Sequence, residues 1–67
     1  MNKGRVKCFF PSRGYGYIED HDGREVYFNL SVIDSRLWST IAHGTDVYYE
    51  AITTAMGLEA LRVKVAA

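Results

Sequence analysis

Aromatic and basic side chains are concentrated near the start of this chain. Phe9, Phe10, Tyr15 and Tyr17 lie within nine positions that also contain Arg13. Aromatic rings stack on unpaired nucleobases, at about 1–3 kcal/mol per base, and cationic side chains beside them contact phosphates. If the fold presents the rings on one face, these residues predict a stacking surface for single-stranded nucleic acid.

The alternation of side chains along a strand predicts the direction of three tyrosines. Tyr15 and Tyr17 are two positions apart and share a face, while Tyr27 has the parity opposite to its apolar neighbours. All three should point outward, with Gly14 and Gly16 leaving the ring faces open. Exposed tyrosines on adjacent strands also stabilise a sheet without any ligand, by about 0.2–1 kcal/mol per pair. For three tyrosines beside basic residues, the sequence favours nucleic acid.

The elements that must position these rings are predicted to be five short strands. They cover residues 5–9, 15–18, 26–30, 46–52 and 58–65. On the fourth strand Val47 and Tyr49 should face the core and Tyr48 the exterior, and on the fifth Leu61 should share the core face with Val63 and Val65.

Residues that favour turns separate the predicted strands. Asp22-Gly23 predicts a type I′ hairpin turn with positive φ at both residues, and His43-Gly44 predicts a further turn. Ser31 is predicted to cap a single helical turn over residues 31–34. Nothing beyond that turn continues a helical period long enough for a full helix.

Five strands with almost no helix predict an all-β fold, a small five-stranded antiparallel barrel that forms a single domain over residues 1–67. Rolling the sheet into a barrel removes exposed edges and encloses one core. The oligonucleotide-binding (OB) barrel has the required strand count. An SH3-like barrel has it too, so the count alone does not separate them.

Composition limits the possible functions. The 67 residues carry eight basic and eight acidic side chains, although the first thirteen residues contain only basic ones: Lys3, Arg5, Lys7 and Arg13. A chain of this length leaves no room for a deep cavity, so we expect no enzyme and no small-molecule substrate. The Asp20-His21-Asp22 cluster is interpreted as solvated turn residues.

The cysteine and histidine content bears on location and metal binding. Cys8 is the only cysteine, which excludes an intramolecular disulfide and suits the reducing cytoplasm. Cys8, His21 and His43 lack zinc-ligand spacing, so we expect no metal and no cofactor. No apolar run approaches the ~20 residues that cross a bilayer, so no membrane association is expected.

Two motifs and their order carry a family resemblance. Arg13-Gly14-Tyr15-Gly16-Tyr17-Ile18 matches the ribonucleoprotein pattern. RNA-recognition motifs share this pattern, but they need two long helices and carry their shorter apolar motif first; here Val26-Tyr27-Phe28-Asn29-Leu30 comes afterwards. With Gly4-x-Val6-Lys7 upstream, Ser31-x-Ile33 after the third strand and Gly44-x-x-Val47 before the fourth, nearly the whole chain resembles the bacterial cold-shock proteins.

The resemblance implies a five-stranded OB barrel that binds single-stranded RNA or DNA. It also implies low sequence specificity, often with a preference for pyrimidines, and a role as a nucleic-acid chaperone or antiterminator. Carried over to the matching positions, the binding surface consists of Lys7, Phe9, Arg13, Tyr15, Tyr17, Tyr27 and Trp38, together with the three substituted positions Cys8, Asn29 and Leu30.

Departures from the family pattern predict weaker binding. Cys8 replaces a tryptophan, Asn29 a histidine and Leu30 a phenylalanine. If each of the two lost stacking rings, at positions 8 and 30, costs about 1–3 kcal/mol, affinity falls by a factor of roughly thirty to ten thousand, part of which Phe10 or Trp38 can restore. Trp38 is either a stacking platform or a lid packed on the barrel, and Asn29 either bonds a base edge or is only solvated. An anionic Glu59 would repel phosphate if it faces the groove.

A second hypothesis is a barrel of the same kind that serves as a protein interaction module. Cys8, Leu30, Phe10 and Tyr48 would give it an apolar exterior, and exposed apolar patches often mark partner sites. We expect a monomer, with a weak homodimer or a protein partner as the alternative.

Overall fold

Alternating side chains give each strand one face that packs inward, and the five strands close around a single core. The computed structural model describes residues 1–66 as a closed barrel with the strand order β1-β2-β3-β5-β4. The strands are β1 (Asn2–Phe10), β2 (Tyr15–Asp20), β3 (Glu25–Asn29), β4 (Asp46–Thr54) and β5 (Gly57–Val65). The 3₁₀ helices Leu30–Val32 and Ser35–Thr40 connect β3 to β4, and residues 1–66 contain no α-helix.

The five-stranded all-β barrel is confirmed, but it is not antiparallel throughout. β1–β2, β2–β3, β1–β4 and β4–β5 are antiparallel, whereas β3 and β5 are parallel, with Val26 opposite Leu58 and Tyr27 opposite Glu59. The reason is geometric. Strand direction cannot alternate all the way around a closed ring with an odd number of strands, so one neighbouring pair must be parallel.

The core is built from inward side chains of all five strands. Val6, Ile18, Val26, Phe28 and Val47 are its largest fully buried members. On β4, Val47 and Tyr49 are buried and Tyr48 is exposed, which confirms the predicted faces.

Gly16 lies inside the barrel and has a packing role. A Cβ atom at this position would lie 2.5 Å from the Cys8 carbonyl oxygen and 2.7 Å from Cζ of Phe28. The absence of a side chain therefore makes room for the Phe28 ring. The prediction that Gly16 keeps the outer ring faces open is wrong, because it faces the other way.

Two local predictions about turns are also corrected. In the β2–β3 turn only Gly23 has a positive φ, +83°, so the type I′ turn at Asp22-Gly23 is not formed. The turn instead closes through the Gly23 N–H, which donates to the Asp20 carbonyl at 2.9 Å. Asn29, not Ser31, caps the first 3₁₀ helix: its side-chain oxygen accepts from the Ser31 N–H at 2.9 Å. The turn at His43-Gly44 is confirmed.

Leu61 does not share the core face of β5. Glu50 pairs with Arg62 and Ala51 with Ala60, so Leu61 is an extra, unpaired residue in a β-bulge. A bulge shifts the parity of the residues on either side of it. Ala60 and Val63 consequently face the core, and Leu61 is 51% exposed.

Candidate nucleic-acid interface

Three tyrosines lie together on the outer surface of β2 and β3. Tyr17 is opposite Tyr27 in the strand register. Their ring centroids are 5.9 Å apart, and Tyr15 lies 6.0 Å from Tyr17 and 5.8 Å from Tyr27. Tyr15 and Tyr27 are stacked, while Tyr17 meets both edge-on. The predicted outward direction is confirmed, and we call the three residues the tyrosine face.

A β-bulge in β1 determines which of its side chains join the tyrosine face. Val6 pairs with Ile18 and Cys8 with Tyr17, so Lys7 is the extra residue. The bulge turns Cys8 and Phe10 outward and Phe9 inward. Phe10 lies opposite Tyr15, with ring centroids 5.2 Å apart, and is 40% exposed.

Phe9 therefore does not belong to the tyrosine face, although the sequence predicts it on the binding surface. It lies opposite Gly16 and stacks on the buried ring of Phe28, with centroids 6.1 Å apart. Phe10, not Phe9, is the β1 ring that contacts the tyrosine face. Simple alternation along β1 cannot reveal this exchange, because the bulge at Lys7 resets the parity.

The bulge at Lys7 is anchored by the turn that precedes β4. Nδ1 of His43 donates to the Lys7 carbonyl at 2.6 Å. The Gly44 N–H donates to the Val6 carbonyl at 2.8 Å. These bonds hold β1 in its bulged form and so orient Cys8 and Phe10.

The two cations predicted for the interface differ in their availability. Lys7 Nζ forms a salt bridge of 2.6 Å with Glu25, and the hydrogen bond that it donates to this carboxylate raises the pKa of Lys7. Arg13 is exposed in the turn between β1 and β2, and no acidic group of residues 1–66 forms a salt bridge with it. Of these two cations, Arg13 is thus the more available to an anion.

Three of the predicted binding residues, Asn29, Leu30 and Trp38, lie around the two 3₁₀ helices. Leu30 is buried, at 8% exposure, and offers no stacking surface. The side-chain oxygen of Asn29 is occupied by the Ser31 N–H. Trp38 is 40% exposed, and its indole N–H donates to the carbonyls of Leu30 at 3.2 Å and Ile33 at 3.0 Å. Its ring is therefore held in one orientation while much of it faces solvent.

The Asp20-His21-Asp22 cluster organises a turn. Asp20 Oδ1 accepts from the N–H groups of Asp22 and Arg24, both at 2.9 Å, and Arg24 Nε donates to Asp20 Oδ2 at 2.8 Å. Burial alone would raise the pKa of Asp20, but these hydrogen bonds outweigh it and lower the pKa. Each acceptor atom of Asp20 is already engaged, as a turn-stabilising role requires.

Within residues 1–66 no cluster of three or more His, Cys, Asp or Glu side chains is arranged to hold a metal ion. No helix in the same range is long and apolar enough to cross a bilayer.

The closed five-stranded barrel with its parallel β3–β5 contact is consistent with an OB-fold, a class of barrels that includes binders of single-stranded nucleic acid. The 'Cold-shock' DNA-binding domain family matches residues 2–66. The chain belongs to this cold-shock family, whose members bind nucleic acid and are not enzymes.

Curated relatives match almost end to end. The chain is 39% identical over 62 residues to the cold shock-like protein CspE of Buchnera aphidicola subsp. Acyrthosiphon pisum, with 91% of this chain and 90% of that protein covered. It is 37% identical to CspE of Escherichia coli K12, with the same coverage. It is 32% identical over 63 residues to cold shock protein CspB of Bacillus caldolyticus, covering 94% of this chain and 96% of that protein.

Proposed function

We propose that the tyrosine face, extended by Phe10 and Cys8, stacks the bases of unpaired RNA or DNA, and that the protein acts as a low-specificity nucleic-acid chaperone or antiterminator. The observation that carries this proposal is the contact among the three outward tyrosines, whose centroids lie 5.8–6.0 Å apart. Rings that are held in place by one another lose little conformational freedom when a base stacks on them.

The same surface supports weak binding. Cys8 contributes no ring, Leu30 is buried, and Lys7 is already paired with Glu25. Phe10 compensates in part, because it adds a fourth outward ring next to Tyr15 and is itself 40% exposed. We therefore propose binding that is weaker than nanomolar at physiological salt, that is, a Kd above the nanomolar range.

The first test is a titration of the protein with a short oligo-thymidine. Quenching of Trp38 fluorescence and isothermal calorimetry should be followed in parallel, since the single tryptophan lies outside the tyrosine face. The double variant Tyr15→Ala, Tyr17→Ala should lose binding. Tyr48→Ala is the matched control, because Tyr48 lies on the outer face of β4, and it should bind as the wild type does.

Each alternative result has a definite meaning. Absence of binding by both methods would reject the stacking proposal and favour the protein interaction module. Undiminished binding by the double variant would place the site elsewhere on the barrel. For chaperone activity the readout is the opening of a fluorophore-labelled RNA hairpin, which the same double variant should not promote.

We also propose that the protein is a monomer. Sedimentation should then give a mass that does not change with protein concentration. A mass that rises with concentration would indicate the homodimer instead.

A further inference from the structure

A carboxylate extends the row of tyrosines onto the next strand. Tyr17 is opposite Tyr27 in the β2–β3 pairing, and Tyr27 is opposite Glu59 in the parallel β3–β5 pairing. Register partners project from the same side of a sheet. Tyr17, Tyr27 and Glu59 therefore form one row across the outer surface of three neighbouring strands.

This row borders a groove of about 530 Å³ between the tyrosine rings and the β4–β5 hairpin. Glu25 and Glu59 both line it. Glu25 is held by Lys7, whereas no cation among residues 1–66 lies within salt-bridge distance of Glu59. Glu59 is half-buried, and an ionised carboxylate only accepts hydrogen bonds. The Glu59 carboxylate is thus a hydrogen-bond acceptor without a cationic partner, and it lies beside two rings suited to stacking.

We infer that Glu59 selects the base that stacks on Tyr17 and Tyr27, favouring bases with an exocyclic amino group over thymine and uracil. This inference rests on the proposed function. The N4 amino group of cytosine donates to a carboxylate. In the same stacked pose thymine and uracil carry the O4 carbonyl at that ring position, so the carboxylate oxygen that accepts from N4 of cytosine meets a lone pair instead of a proton. A thymine or uracil must leave this pose to present its N3–H to Glu59, and we expect that change of pose to weaken binding.

Pyrimidine homopolymers of equal length provide the cleanest test. Oligo-dC and oligo-dU differ at ring position 4, and oligo-dT shows the effect of the 5-methyl group. The titrations are done at mildly alkaline pH, where oligo-dC stays single-stranded, and at one salt concentration. The wild type should bind oligo-dC about fivefold more tightly than oligo-dU or oligo-dT, the low end of the range for one base-edge contact.

Two substitutions in the same groove separate the role of Glu59 from a general charge effect. Glu59→Gln keeps the shape of the side chain and adds a donor, so the ratio of oligo-dC to oligo-dU affinity should fall to about one. Glu25→Gln removes a carboxylate that Lys7 already engages, so the ratio should be unchanged.

The outcomes distinguish this inference from the proposed function. Equal or tighter binding of oligo-dU and oligo-dT by the wild type, with all binding lost in Tyr27→Ala, overturns the role of Glu59 and leaves the stacking surface intact. A preference that survives in Glu59→Gln also overturns it. If none of the three strands binds, the proposed function itself fails.

Discussion

Lys7 of β1 forms a salt bridge of 2.6 Å with Glu25 of β3 that crosses the intervening strand β2. Glu25 also lines the groove beside Tyr17 and Tyr27, so the pair adjoins the tyrosine face, where we propose that a strand binds. A phosphate must therefore compete with Glu25 for the ammonium group. Since Arg13 forms no such pair within the described part of the chain, the interface has one readily available cation and one that is partly neutralised.

The first prediction is a shallow salt dependence of binding. Each phosphate contact on a single strand contributes a slope of about −0.7 to log K against log salt, so Lys7 and Arg13 together give about −1.4. Arg13→Gln should reduce the slope to about −0.7. Titrations with oligo-thymidine over a series of salt concentrations measure both slopes. A wild-type slope of about −3 or steeper would show that further cations of the barrel contact the strand.

Removal of Glu25 should strengthen binding. In Glu25→Gln the Lys7 ammonium is free to contact phosphate, and one negative charge leaves the interface. Exposed salt bridges contribute little free energy, so we expect at most about a fivefold gain in affinity, measured by calorimetry. Glu50→Gln is the control, since Glu50 pairs with Arg62 on the β4–β5 sheet. An equal gain in both variants would indicate only a change in net charge.

A tryptophan at position 8 should restore a stacking platform. Cys8 is half-buried opposite Tyr17 on the outer surface, so Cys8→Trp adds a ring to the tyrosine face. One added platform is worth about 1–3 kcal/mol, which predicts an affinity at least fivefold higher.

Leu30→Phe is the comparison, because Leu30 is buried and a larger ring cannot reach the bases. Overpacking should cost this variant about 1–3 kcal/mol of unfolding free energy without a gain in affinity. Tighter binding by Leu30→Phe would contradict the burial of this position.

Gly16→Ala tests the packing inside the barrel. The added methyl group would lie 2.5 Å from the Cys8 carbonyl oxygen and 2.7 Å from Phe28, so β1, β2 or the Phe28 ring must shift. We expect a loss of about 3 kcal/mol in the free energy of unfolding, measured with urea. Gly14→Ala, which meets no atom within 4 Å but has φ at +77°, should lose only about 1 kcal/mol. Equal losses would mean that Gly16 is not tightly enclosed.

Acid should weaken the barrel through Asp20. Its pKa is lowered in the folded state from an ordinary value of 3.8, because the hydrogen bonds from Arg24 and Asp22 outweigh the effect of burial. The carboxylate therefore stabilises the fold in full only well above the ordinary value of 3.8, and this contribution is lost as pH falls through 3.8 and then through the lowered pKa. Urea unfolding of Asp20→Asn should show a smaller loss of stability below about pH 4 than the wild type.

An exposed carboxylate provides the control for this pH dependence. Asp46→Asn removes one negative charge at an exposed position without removing the hydrogen bonds made by Asp20, so it controls for the change in net charge. A wild-type profile in Asp20→Asn would assign the acid sensitivity to other groups.

Much of the fold and the centre of the site follow from local patterns. Alternation alone places Tyr15, Tyr17 and Tyr27 outside and Val47 inside, because regular strands obey a period of two. The turn at His43-Gly44 follows from residue type, since Gly44 adopts a φ of +88° that glycine tolerates.

What local patterns cannot supply are the two bulges. Lys7 and Leu61 each interrupt the alternation, so Phe9, Phe10 and the end of β5 change faces. At Lys7 the cause is distant in sequence: the bulge is held by a bond from His43 to its backbone carbonyl. Neither residue type nor spacing near Lys7 predicts a hydrogen-bond partner 36 positions away in the sequence.

The parallel contact between β3 and β5 is the narrowest seam of the barrel. It pairs only Val26 with Leu58 and Tyr27 with Glu59, and parallel pairing is slightly weaker per residue than antiparallel pairing. Local opening of the barrel is therefore easiest here. The groove spans this seam, so a strand that contacts both Tyr27 and Glu59 bridges its two sides. Binding of an oligonucleotide and closure of the barrel are then thermodynamically linked. An oligonucleotide bound across both strands would lower the population of barrels that are locally opened between β3 and β5.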